Sequence, residues 1–118
     1  MLTAAVTRQR MEEDTAHWYV PLMEFVDDWR SAPDVARMRE PFALGGDAKL
    51  DALLAGVIEM LCKEVGYEAP PWGEAVGPAP RPWFVSGLEN LKASALVESP
   101  VYLRRRRVFV LENFLDRA

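Results

Sequence analysis

The side chains best suited to chemistry in this 118-residue chain are few and scattered. His17, the one histidine, stands beside Trp18 on an expected helix. An imidazole can act as a general base near neutral pH, but no serine or cysteine partner accompanies this one, and a structural role is the simpler reading. Cys62, the one cysteine, falls on the same helical stripe as Ile58 and Val65, where a thiol behaves as a small hydrophobe. Carboxylates gather at Glu12-Glu13-Asp14 and Asp27-Asp28. Adjacent helical residues point about 100° apart, so Asp27 and Asp28 do not converge on one cation, and a solvated face is expected. The chain has no glycine-rich phosphate loop, no paired-cysteine zinc pattern and no metal-binding histidine spacing. No catalytic residue, metal or cofactor is therefore assigned, and an enzyme is disfavoured.

The feature that stands out is "VYLRRRRVFVLENFL", which sets Arg104, Arg105, Arg106 and Arg107 between two apolar runs. Four consecutive side chains on a helix span about 300° of azimuth, and on a strand they split two and two. Two or three of them can meet one partner surface. DNA-binding proteins that work through charge commonly engage roughly 6–10 phosphates, more than this run offers unless a homodimer doubles it. The cations also suit a helix C-terminus, where they favour the dipole by roughly 0.3–1 kcal/mol.

The net charge of −4 is unevenly distributed. Residues 1–80 carry seven Lys/Arg against fourteen Asp/Glu, a balance of −7; residues 81–118 carry seven against four, a balance of +3. An acidic body with a basic C-terminal end implies internal complementarity or an acidic partner at that end. A chain of this length is one domain on size grounds. With half its residues apolar it builds one modest core without metal or disulfide. The lone cysteine and the absence of a charged-then-apolar leader make the cytoplasm the expected location. No apolar run reaches the ~20 residues that span a bilayer, so no membrane is expected.

The elements that must position these residues read as all-α: a compact bundle of about five helices over residues 1–118. The first nine residues show no clear period and are expected to fray. Trp18, Leu22, Phe25, Val26 and Trp29 then mark one helical face beginning near Glu12. Pro21 requires either a kink or a restart there. "SAPDVARMRE" reads as a short helix capped by Ser31. The clearest helix spans Asp47 to Val65, with a wide stripe that includes Leu54, Ile58 and Leu61, and Gly66 ends it. Residues 68–83, dense in proline and glycine, read as an irregular arm pinned by Trp72 and Trp83. Ser86 and Glu89 form a capping box opening a helix with Leu88, Leu91, Ala95 and Leu96. Ser99-Pro100 starts a short helix ending among the arginines. "VFV" reads as extended, and "ENFLDRA" as a last helical turn or two with Leu111, Phe114 and Leu115 inward.

Residues 82–118 resemble the C-terminal part of small bacterial and archaeal-type proteins that look like antitoxin partners of nucleotidyltransferase-type toxins encoded beside them. The shared pattern is Pro82-Trp83 before a helix, Ser99-Pro100, Arg104 to Arg106, the apolar triplet Val108 to Val110, and a final Arg117-Ala118. That family often has glycine or a small polar residue where this chain has Arg107. Larger relatives carry an N-terminal helix-turn-helix, for which this chain shows no signature. The resemblance implies a small non-catalytic interaction protein that docks a nucleotidyltransferase-like partner through its basic C-terminal end. Arg104, Arg105, Arg106 and Arg107 would contribute the charge, and Phe109 and Trp83 the aromatic anchors. The alternative is a DNA-binding transcriptional regulator using the arginine run on phosphates.

Overall fold

The structure, a computed structural model, describes residues 1–44, 46–87, 91–111 and 113–116. At its centre is the helix that the widest apolar stripe predicts, α3 (Ala48–Glu64). Asp47 caps it by accepting from the Lys49 amide at 3.2 Å. Gly66, at φ +74°, ends it. There the Gly66 amide bonds the Lys63 carbonyl and the Tyr67 amide bonds the Cys62 carbonyl, the paired closure that only a left-handed residue allows cheaply. Every residue from Leu50 to Glu59 is buried, so the helix is enclosed all round. Leu54, Ile58 and Leu61 are at most 1 % exposed.

Two further helices pack against it. α1 (Ala4–Glu13) occupies the segment expected to fray. Thr3 caps it, accepting from the Val6 amide at 3.2 Å. Its buried face is Ala4, Thr7, Arg8 and Met11, the 3–4 spacing of a helix. Threonine and arginine occupy half of that face, so no apolar period marks it in the sequence. The helix expected to begin at Glu12 is broken instead by a 3-10 turn over Thr15–His17. α2 (Tyr19–Ser31) then restarts, which settles the question of Pro21. The proline is third in the helix, where no intrahelical donor is required of it. Leu22, Phe25, Val26 and Trp29 are fully buried.

The next segment is shorter than expected. Ser31 closes α2 rather than capping a helix, its hydroxyl donating to the Asp28 carbonyl at 2.9 Å. Asp34 caps a single 3-10 turn, Val35–Met38, by accepting from the Ala36 amide at 2.9 Å.

The proline-rich arm is packed, and it holds more regular structure than its composition suggests. Pro71–Ala75 form a 3-10 turn. The Trp72 indole donates to the Met38 carbonyl at 2.9 Å, and its ring meets Phe42 edge-on with centroids 5.2 Å apart. The arm ends in β1 (Trp83–Phe84), which pairs in parallel with β2 (Val108–Phe109), Trp83 opposite Val108 and Phe84 opposite Phe109.

Of the capping box and the helix it opens, Leu88 and Glu89 lie outside the described residues. α4 is described over Lys92–Glu98. It buries Ala95 but leaves Leu96 48 % exposed. α5 (Val101–Arg104) follows with Pro100 at its cap. Ser99 does not cap it; the buried hydroxyl accepts from the Val110 amide at 2.7 Å and donates to the Ala95 carbonyl at 2.6 Å. The last described residues form a turn over 113–115 rather than a helix. Leu115 is buried there, and Phe114 and Leu111 half-buried. The described residues thus hold five α-helices and one pair of two-residue strands, an all-α fold.

Candidate partner-binding surface at the C-terminal end

The arginine run is a hinge between α5 and β2, and its backbone decides where each side chain goes. The Arg105, Arg106 and Arg107 amides bond the Val101, Leu103 and Arg104 carbonyls at 2.9–3.0 Å. Arg107 then adopts φ +62°, a left-handed conformation rarely taken by a residue with a Cβ. This tight exit sends four consecutive side chains in different directions.

Arg106 turns inward. Its side chain is 7 % exposed; Nη2 donates to Glu59 Oε1, and to the Gly73 carbonyl at 3.1 Å. Arg105 lies at the edge, donating to Glu59 Oε2 with 44 % of its side chain exposed. The hydrogen bond to Glu59 holds its guanidinium pKa above the usual arginine value. Glu59, buried on α3, therefore receives two guanidinium groups. Arg107 is exposed and donates to the Pro80 carbonyl at 3.3 Å, and Arg104 is exposed to solvent. The run is divided: Arg106 is structural cement, Arg105 is shared, and Arg104 and Arg107 face water.

Phe109 and Trp83 are each half-buried. Phe109 stacks on Phe84 at 5.0 Å and 19°. Trp83 meets Trp18 edge-on at 5.4 Å, with Lys49 Nζ 5.2 Å from its ring centroid. Both fasten the arm to the body, and each retains an exposed part.

The sequence reading missed the apolar part of this surface. Leu96, Val97 and Val101 are 48 %, 81 % and 55 % exposed, on α4 and α5 just before Arg104. The available signal was Leu96-Val97 itself: adjacent helical residues cannot both face a core beneath Ala95.

The remaining candidates lie elsewhere. The His17 imidazole is exposed and pairs with Asp14 at 3.1 Å. Cys62 Sγ lies 3.3 Å from Met38 Sδ, and burial pushes its thiol pKa up to about 11, so it stays protonated at neutral pH. Asp28 accepts from the Leu2 amide at 3.0 Å and from Arg37 Nη1. The Leu2 hydrogen bond and then the Arg37 side chain hold its carboxyl below the usual range. Glu12 is lowered likewise, chiefly by the hydrogen bond from Arg8 and then by the Gly46 amide. Asp27 is exposed. Among the described residues, no group of three or more His, Cys, Asp or Glu is placed to hold a metal ion, and no helix is long and apolar enough to cross a membrane.

Comparison with protein-family models, with curated proteins and with solved structures gives no match for this chain.

Proposed function

We propose that this chain is a small non-catalytic, antitoxin-like interaction protein that docks a nucleotidyltransferase-like protein encoded beside it. The observation that carries this reading is the exposure of Leu96, Val97 and Val101 on α4 and α5, immediately before Arg104 and Arg105 in the basic end of the chain. An apolar centre with cations at its rim is the anatomy of a protein interface. The apolar centre supplies the affinity, and the arginines steer a partner of opposite charge. Trp83 and Phe109 contribute by holding the arm and β2 in place beneath this end.

Duplex DNA is a poorer fit to the same end. Arg106 is buried and Arg105 is held by Glu59, so Arg104, Arg107 and part of Arg105 remain, against the roughly 6–10 phosphates that charge-driven binders engage. The test is calorimetric titration of the neighbouring nucleotidyltransferase-like protein with wild type, Val97→Asp and Arg104→Glu. Both variants should bind more weakly, and the Arg104→Glu deficit should shrink at high salt. Unchanged affinity in both variants would remove the reading.

A further inference from the structure

The opposite charge balance of the two parts of the chain has a structural counterpart on the surface. A groove of about 470 Å³ lies between α1 and the segment that precedes α3. Its apolar wall includes Val6, Pro41 and Leu44, with Val6 45 % and Leu44 65 % exposed. Glu12 and Glu40 stand on its lining as exposed carboxylates. Arg8, the cation among its lining residues, is spent internally on Asp51 at 2.7 Å and on Glu12 at 2.9 Å. The groove is therefore apolar with an acidic rim. Its converse is the α4–α5 stretch, or ridge, where Leu96, Val97 and Val101 are exposed and the exposed Arg104 and Arg105 follow, with one exposed carboxylate, Glu98, among them.

We infer that the groove takes the α4–α5 ridge of a second copy of this chain, so that the protein self-associates head to tail. Charge complementarity selects this occupant: the exposed carboxylates at the groove, Glu40 and the Arg8-bound Glu12, are opposite in sign to the exposed Arg104 and the half-exposed Arg105 of the ridge. Apolar side chains exposed on both surfaces would leave water together, while the carboxylates and arginines fix which surface meets which. Groove and ridge use different elements, so the contact is heterologous, and each copy in a pair keeps one surface open. Growth beyond two copies follows unless a ring closes. Exposed charges add little by themselves, so the association should be weak and salt-sensitive. The inference does not rest on the proposed partner: a chain that binds that partner yet remains monomeric overturns self-association alone. A partner seated on the ridge would, however, exclude the second copy.

Sedimentation equilibrium of the full chain at low salt tests this. Wild-type mass should rise with concentration and fall back toward the monomer in 1 M salt, where the Debye length is about 3 Å. Val97→Asp destroys the ridge and Leu44→Asp the groove, both at positions exposed enough to leave the core untouched. Val101→Asp and Val6→Asp serve as a second pair. Each variant alone should be monomeric at concentrations where wild type associates. An equimolar mixture of one ridge and one groove variant should recover a 1:1 dimer and nothing larger, because each supplies the surface the other lacks. A monomeric wild type at the highest attainable concentration, a single variant that associates like wild type, or a mixture that stays monomeric would each overturn the inference.

Discussion

Glu59 is the residue on which the C-terminal end depends. Removing one partner of a buried ion pair leaves a desolvated charge, at a cost of roughly 3–5 kcal/mol. Glu59→Gln does this to Arg106, which is 6 % exposed and whose guanidinium is held by Glu59 and the Gly73 carbonyl. Denaturant unfolding should show a loss in that range, whereas Arg104→Ala, on the exposed side of the same run, should stay within ~0.5 kcal/mol of wild type. Equal losses for the two would mean that the run does not divide between core and surface. Arg107 makes the complementary prediction. A left-handed residue with a Cβ costs roughly 1–2 kcal/mol, a penalty glycine avoids. Arg107→Gly should therefore stabilise the fold by about 1 kcal/mol, less whatever the exposed bond to Pro80 contributes. A lower melting temperature for Arg107→Gly would show that the Pro80 contact outweighs the backbone penalty.

At the scale of elements, α3 shows what a sequence displays and α1 what it hides. One stripe bounded by Asp47 and Gly66 makes α3 readable, since caps and period agree. α1 is masked because Thr7 and Arg8 lie on its buried face, and Arg8 becomes acceptable there only when Asp51 of α3 meets it at 2.7 Å. The β1–β2 register is hidden for a related reason: parallel pairing joins segments more than twenty residues apart, and no local pattern encodes that partner. Leu96 and Val97 were visible as residues but not as a surface, because their exposure depends on how α4 is rotated. Helix contacts also explain Gly56, in the middle of α3. A Cβ there would lie 2.5 Å from Leu103 Cδ2 and 2.9 Å from the Tyr102 carbonyl oxygen, the second being backbone that cannot swing aside. Alanine should improve helix propensity by roughly 1 kcal/mol, yet Gly56→Ala should destabilise the protein, because α5 must retreat from α3. A gain in melting temperature would show that α5 moves freely. The N-terminus is tied to α2 by Asp28, whose folded-state pKa lies below its unfolded value of about 3.9. Such a group stabilises the fold above its unfolded pKa, and the contribution disappears as pH falls through the lower, folded one. Stability should accordingly decline below about pH 4, and Asp28→Asn should show a shallower decline when urea midpoints are compared across that window. Parallel profiles for variant and wild type would remove Asp28 from the acid response.

For the whole molecule, the question is whether the basic C-terminal segment is an appendage to an acidic helical body or part of what completes it. Leu103, Val108, Val110 and Leu115 are buried within the same core as α1, α2 and α3. Ala79 and Trp83 of the arm each donate a backbone hydrogen bond at 2.8 Å to a carbonyl of the arginine run, from Arg106 and Arg107 respectively. Arg106 also donates to the Gly73 carbonyl at 3.1 Å, so the segment is seamed to the arm along much of its length. The two oppositely charged parts of the chain thus meet at Glu59, and part of the charge asymmetry seen in the sequence is neutralised inside the fold. The buried portion of that seam is poorly screened, so salt should affect stability far less than it affects docking at Arg104. A chain ending at Ser99 would leave Glu59 without its two arginines, expose the Gly56 face of α3 and strip the arm of its β partner. Such a truncation should lose its cooperative thermal transition altogether, rather than melt as a slightly weaker bundle. Circular dichroism melting is the measurement, with Trp72 fluorescence reporting the arm. A sharp transition within a few degrees of the full chain's, with Trp72 still shielded, would show that residues 1–99 fold by themselves and that the basic end is a detachable handle.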